Sequence, residues 1–250
     1  MSSIKPVSCT AQPASFLILL IFIAAAPCPL MGSPGLDWNG TRFEMPQDFV
    51  YRDSPAVDSF EGLDSTAREI EGRVEMWDAD GHRMARLVSD FHAVFPFPIE
   101  QIIPVFTDHE NEDKVYPRID NSSDLSPDMP PNQPHFQEVE ISFKFLGFGE
   151  EYHYILYRIP RWYEDGSFLI HWALVHSIDG KYFELYGSWY LQEFQRDGEP
   201  HTYLRNFIQT GLIDPPKMLK TFTNLFAKND VRGFFDAVYE AAEKNVLTQY

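Results

Sequence analysis

At 250 residues the chain has room for one domain or two small ones, and a hydrophobic content of 44% is that of a globular protein. A formal net charge of −17 argues against a nucleic-acid partner, because phosphate binding needs a basic footprint, and it disfavours stable binding to anionic membranes. Twenty-one Phe and 12 Tyr are enough to build a large core or to line a cavity.

The first marked stretch is Phe16 to Ala26, FLILLIFIAAA. An apolar run this long is too short to span a bilayer, which needs about twenty residues. It fits the h-region of a secretory signal peptide, so residues 1–31 are expected to be removed and the protein exported, to the periplasm or outside the cell. Membrane anchoring through this N-terminal segment, or lipid attachment at Cys28, is a second option, although Pro27 directly before the cysteine does not suit the lipid signal. Cys9 and Cys28 both fall in this presequence, which leaves the mature chain without disulfide or thiolate chemistry. Residues 32–71 are rich in Pro, Gly, Asp and Ser without a sustained period and read as a linker or an N-terminal arm packed on the domain. Within them, Asp64-Ser65-Thr66 before AREIE suits the cap of a short helix. Asn39-Gly-Thr41 and Asn121-Ser-Ser123 are glycosylation sequons that matter only in a glycosylating host.

Strand signals begin at Arg73 to Trp77, turn at Asp78-Ala79-Asp80-Gly81 and resume from Met84 to Phe95, which predicts a hairpin. Pro96 and Pro98 stop it, and Ile99 to Phe106 carries a short helical pattern that contains Pro104. Asp120 to Pro134 reads as a polar loop. The period then becomes two: Val139, Ile141, Phe143 and Phe145 alternate with Glu138, Glu140, Ser142 and Lys144. Further strands follow at Glu151–Ile159, Ser167–Ser177, Tyr182–Phe194 and His201–Ile213, with hairpin turns at Asp179-Gly180 and Asp197-Gly198. Five strands joined by short turns make an antiparallel meander. Last comes Pro215 to Lys244, whose apolar residues step by three and four in one broad stripe, as on an amphipathic helix. Ala227 to Arg232 interrupts that stripe and allows a break at Asn229-Asp230. The expected fold class is α+β, an antiparallel sheet with a long C-terminal helix covering one face.

Three stretches carry a family resemblance: FHAVFPFPIEQIIPVFTD (Phe91 to Asp108), YPRI (Tyr116 to Ile119), and GSWYLQEF…DGEPHTYLRNFIQTGLIDPP (Gly187 to Pro216) with the helix after it. With the element order, they resemble the START-like or helix-grip superfamily of lipid-transfer domains, coenzyme-Q-binding proteins and polyketide cyclases. The resemblance covers about Gly72 to Lys244, so residues 72–245 are expected to form the domain. It implies a curved antiparallel sheet wrapped around the C-terminal helix, with a tunnel between them for an apolar ligand.

The residues themselves offer little catalytic machinery. The eight His show no metal-ligand spacing, and His171 and His176 have opposite parity on one strand. Gly147-Phe148-Gly149 lacks the glycines and the following helix of a phosphate cradle, and no nucleophile elbow appears. What remains is the inward sheet face. If Trp172 points inward, so do Phe168, Ile170, Leu174 and His176, with Phe183, Leu185, Gly187, Trp189 and Leu191 sharing a face on the next strand. On the last strand the parity is open between Tyr203, Arg205, Phe207 and Gln209 and the alternate set Leu204, Asn206, Ile208 and Thr210. Periodicity alone leaves a packed core and a cavity equally open. The resemblance implies a cavity lined by Phe143, Phe145, Trp172, Leu174, His176, Trp189, Arg205 and Phe207, closed by Phe222 and Phe226 of the helix. His176 and Arg205 would be its polar residues; the alternative for Arg205 is a salt bridge to Asp236 or Glu240.

The expected function is therefore an exported, monomeric carrier of a lipid or other hydrophobic small molecule. It would need no metal or cofactor, bind no nucleic acid and make at most transient membrane contact. Two alternatives stand beside it. One is a cyclase, aromatase or dehydratase on the same fold, with His176, Arg205 and Tyr203 as acid–base groups. The other is an envelope interaction scaffold with no open cavity.

Overall fold

The computed structural model describes residues 36–38, 41–109, 112–116, 118–130, 133–145, 148–216 and 219–248, so the expected signal segment lies outside the described residues. Their elements are β1 (Leu36–Trp38), β2 (Thr41–Phe43), β3 (Arg68–Ala79), β4 (His82–Phe95), α1 (Ile99–Thr107), α2 (Glu112–Val115), β5 (Ile119–Asp124), β6 (His135–Phe145), β7 (Phe148–Trp162), β8 (Phe168–Ser177), β9 (Tyr182–Arg196), β10 (Glu199–Ile213) and α3 (Leu219–Thr248). Strands β3 to β10 form one antiparallel sheet in the order β3-β4-β10-β9-β8-β7-β6-β5. Every neighbouring pair is a sequential hairpin neighbour except β4 and β10. The long hairpins follow from alternating apolar residues and from turns that tolerate left-handed backbone. Asp80-Gly81 and Asp197-Gly198 have φ values of 52° and 83° and of 55° and 83°, the two-residue geometry that matches strand twist.

Four local expectations change. Asp120 to Asp124 is not loop but part of β5, paired with β6 from Ile119↔Ile141 to Asp124↔Gln137. This edge strand is polar and held by backbone bonds, so it shows no alternation to read. Residues 64–66 cap no helix: the Asp64 carboxylate accepts from the Thr66 amide at 3.0 Å in a local turn, and the chain enters β3 at Arg68. Between β8 and β9 only Gly180 of the Asp179-Gly180 pair has positive φ, 70°, within a four-residue connection, so the tight two-residue turn does not form. Finally, α3 runs without a break through Asn229-Asp230. Arg118 donates to the Asp230 carboxylate at 2.6 Å, tying mid-helix to the start of β5.

Alternation gives the sheet two buried faces. The inner face carries Ala85, Phe91, Ala93 and Phe95 of β4, Leu204 and Leu212 of β10, Leu191 and Trp189 of β9, and Ile170 and Trp172 of β8, all in one apolar core. Helix α1 contributes Ile102, Val105 and Phe106, and α3 contributes Phe235, Val238 and Ala242. Phe234 lies 4.9 Å from the Tyr116 ring and Phe235 stacks 6.1 Å from Phe95. Helix α1 has no side-chain cap of its own, but Glu193 of β9 accepts from its first amide, Ile99, at 3.0 Å.

The outer face is covered by the chain before β3. Residues 43–67 cross the sheet as a strap. Phe43 meets Tyr157 of β7, Phe49 stacks on Tyr186 of β9 at 3.9 Å, and Tyr51 stacks on His171 of β8 at 4.0 Å. Further on, the Ala56 amide donates to the Tyr203 hydroxyl of β10 at 3.0 Å, Phe60 stacks on the Tyr203 ring at 4.6 Å, and the Val94 amide of β4 donates to the Asp64 carbonyl at 2.8 Å. Aromatic pairs of this kind contribute about 0.5–1.5 kcal/mol each beyond their area.

Candidate functional site

Strand β7 shows where polar chemistry enters the inner core. Its inward residues run Tyr152, Tyr154, Leu156 and then Arg158, which is 2% exposed. Arg158 reaches the α1–α2 corner: Nη1 donates to the Glu112 carboxylate at 2.6 Å and to the Gln137 carbonyl oxygen at 2.5 Å, and Nη2 donates to the Phe106 carbonyl at 2.8 Å. Gln137 in turn donates to Glu112 at 2.5 Å and to Ser122 at 2.7 Å. His109 Nδ1 lies 3.3 Å from Glu112 and 3.0 Å from Arg158, and its ring lies 4.1 Å from that of His135. The guanidinium also sits 5.1 Å from the Trp189 ring centroid.

The electrostatics follow from burial. Desolvation raises the Glu112 carboxyl, but Arg158 and His109 outweigh it and hold it below the usual range, so it is charged. Desolvation, reinforced by Arg158, lowers His109, and desolvation with His109 and Arg158 pushes His135 down to about 3. Both imidazoles are neutral at pH 7, and the cluster holds one positive and one negative charge. His135 Nδ1 faces the Gln133 carbonyl at 3.0 Å and must donate to it, which makes Nε2 the acceptor.

Among the described residues, several buried side-chain atoms on this face have no hydrogen-bond partner: Arg158 Nε, His109 Nε2, His135 Nε2, Trp172 Nε1, Trp189 Nε1 and Asn206 Nδ2. Each such atom costs about 1–3 kcal/mol if left dry.

The residues expected from sequence divide between the faces. Trp172, Leu174 and Trp189 belong to the inner core, and Trp172 lies flat against Gly187, where a Cβ would collide with its ring and with the Phe207 carbonyl. Phe143, 43% exposed, packs edge-on to Tyr152 at the end of the same face. The side chains of Phe145, Phe222 and Phe226 lie outside the described residues. Arg205 and Phe207 are on the outer face: Arg205 forks onto Asp90 at 2.9 and 2.6 Å and donates to the Ser54 carbonyl of the strap at 2.9 Å. Its ion pair is thus with Asp90 and not with Asp236 or Glu240. The parity left open on β10 resolves to Leu204, Asn206 and Ile208 inward. His176 is exposed, because a register shift between Ile155 and Leu156 opposite it breaks the alternation of β8 and turns His176 out of the inner row. Tyr203 is on the outer face as well, bound to His92 at 3.1 Å.

Sequence reasoning missed His109, Glu112, Gln137 and Arg158. A signal was available in Arg158, a charge at the inward phase of an otherwise apolar strand. His109 and Glu112 lie in a polar stretch whose burial depends on the α1–α2 corner and leaves no periodic trace. Among the described residues no group of three or more His, Cys, Asp or Glu stands close enough to hold a metal ion. Two clefts, of about 360 and 390 Å³, lie beside Ser65, Arg232 and Asp236 and beside Asp120, Glu151, His153 and Lys181, away from Trp172 and Trp189.

No protein-family model and no curated protein matches this sequence. Solved structures do. A STAR-related lipid transfer protein fragment from Xanthomonas axonopodis is similar over 69% of this chain and 98% of its own, at 12% identity and a TM-score of 0.51. The Zhui aromatase/cyclase from Streptomyces sp. R1128 covers 64% and 96% at 13% identity and a TM-score of 0.47. Human StAR-related lipid transfer protein 5 covers 69% and 86% at 8% identity and a TM-score of 0.48. At these identities the likeness is one of fold, and the fold is START-like: a large antiparallel sheet with helices on its inner face.

Proposed function

We propose that the protein is an exported carrier whose domain, residues 72–245, holds a lipid or other hydrophobic small molecule between the inner sheet face and α3. In this reading the sheet curves around α3 and residues 1–31 serve as the signal peptide. Phe143, Trp172, Leu174 and Trp189 line the apolar space, with Phe145, Phe222 and Phe226 assigned to it by their periodicity. The cluster of Arg158, Glu112, His109, His135 and Gln137 forms its polar end, in place of His176 and Arg205. One observation carries the reading: the partnerless buried polar atoms gather on the inner face, where a bound molecule would meet them. The lipid-transfer name of the Xanthomonas neighbour points the same way.

The test is native mass spectrometry of protein purified from its expression host, followed by incubation with a total lipid extract. A bound or acquired apolar molecule is expected. A protein that carries nothing and takes up nothing overturns the proposal. Terminal sequencing of the protein recovered from a secreting host checks export, and a retained segment 1–31 inside the cell rejects it.

A further inference from the structure

Cross-strand register turns the scattered unpartnered atoms into a line. On the inner face Arg158 of β7 is directly opposite Trp172 of β8, and Trp172 is opposite Gly187 of β9. One inward step along β9 is Trp189, which is opposite Asn206 of β10. Directly opposite residues have Cβ atoms about 5 Å apart, and same-face neighbours along a strand are about 7 Å apart. Arg158, Trp172, Trp189 and Asn206 therefore form a contiguous track across the four central strands. All four side chains are buried, the most exposed at 8%.

Their free atoms share one chemistry. Arg158 Nε, the Trp172 and Trp189 indole nitrogens and Asn206 Nδ2 can only donate. Acceptor capacity sits to one side, where the His135 Nε2 position on β6 lies opposite Arg158. Across β8 to β10 the free buried atoms of this track are donors alone. The same space already holds a matched charge pair, Arg158 with Glu112 at 2.6 Å, so no net positive charge remains to balance an anion.

We infer that the carried molecule is an uncharged, carbonyl-bearing apolar compound, such as an ester or ketone, whose oxygen accepts from the Trp172–Trp189–Asn206 track. This rests on the carrier reading above and deepens it. A pure hydrocarbon would bury those donors dry. A carboxylate would add an unbalanced negative charge next to Glu112.

The test compares three probes of one chain length, hexadecane, methyl palmitate and palmitate, delivered from cyclodextrin and followed by tryptophan quenching and native mass spectrometry. Methyl palmitate is expected to bind at least about tenfold more tightly than the other two, the worth of one buried hydrogen bond. In the triple variant Trp172→Phe, Trp189→Phe, Asn206→Leu the ratio of methyl palmitate to hexadecane binding should fall to about one, by mass spectrometry, whatever the variant does to the affinity for both. Equal binding of ester and hydrocarbon, or tighter binding of palmitate, overturns the inference and leaves the carrier reading standing. Failure of all three probes to bind, together with a lipid extract that supplies nothing, overturns both.

Discussion

Arg205 and Arg158 are both less than a tenth exposed, both grip a carboxylate, and both sit near the middle of the same sheet, on opposite faces. Around Arg205 the polar atoms are matched: Asp90 accepts two of its bonds, the strap carbonyl of Ser54 takes a third, and Arg52 stands 3.6 Å from Asp90 as a second cation. Around Arg158 the carboxylate is matched, but Nε of the guanidinium, both imidazole Nε2 atoms and two indoles nearby are not. On the outer face the strap meets the polar atoms around Arg205, whereas on the inner face the helices pack on the apolar rows and leave these polar atoms without a protein partner. A buried ion pair is weak evidence for stability; what distinguishes the two is the state of the neighbours.

Removing each arginine should separate the faces most strongly. Arg158→Met leaves Glu112 buried without its counter-charge and is expected to lower unfolding stability by about 3–5 kcal/mol in urea titration, with part recovered on adding Glu112→Gln. Arg205→Met leaves Arg52 beside Asp90, so a smaller loss of about 2–3 kcal/mol is expected, and ligand uptake by the folded protein should be unchanged. Equal losses, with both variants failing to bind, would erase the contrast.

Gly187→Ala probes the plane between the faces. Its new methyl must displace the Trp172 ring and press on the Phe207 carbonyl, at an expected cost of about 2 kcal/mol and with a change in tryptophan emission. Acidification probes the buried imidazoles, His109 and His135 of the inner cluster and His92 of the outer face, all held below their ordinary range by burial. The folded-state pKa of His135, about 3, is below its ordinary 6.5, so the unfolded chain binds more protons between those values. The His135 contribution to stability should therefore be full above pH 6.5 and fall by about 1.4 kcal/mol for each pH unit below it, down to about 3. His135→Gln should flatten that slope, and an unchanged slope would place the sensitivity elsewhere. The smallest effect is expected from Phe60→Leu, which removes the stack on Tyr203 and should cost about 1 kcal/mol in thermal unfolding without altering binding.

The hairpin, the meander and the last helix were legible because they bury one face in a regular period, and Trp172 and Trp189 were correctly assigned to one face for that reason. An arm packed on the domain was one of two readings of the segment before β3, but the course of the strap and of β5 was not legible, since each is held by single aromatic contacts or backbone bonds that need no repeat. On β10 both faces are buried, so Leu204 and Asn206 alternate with Tyr203 and Arg205 without a polar phase to tell inside from outside. His176 was misplaced because one register shift reverses every side chain beyond it. The polar cluster was hidden for a different reason: His109 and Glu112 come from the α1–α2 corner and meet Gln137 and Arg158 only after the sheet has formed.

The pairing of β4 with β10 has a kinetic consequence. It is the one seam in the sheet that joins strands from opposite ends of the domain, Phe95 with Thr202 through Met84 with Ile213, across the whole of α1, α2 and β5 to β9. Every other strand pair can zip from its own turn, whereas this one must wait for the intervening chain to be gathered, which makes it the natural slow step of folding. The strap lies across this seam, with Asp64 bonded to β4 and Ala56 to β10. It acts there as a latch, so that opening the sheet at this long-range join requires the strap to be peeled away first.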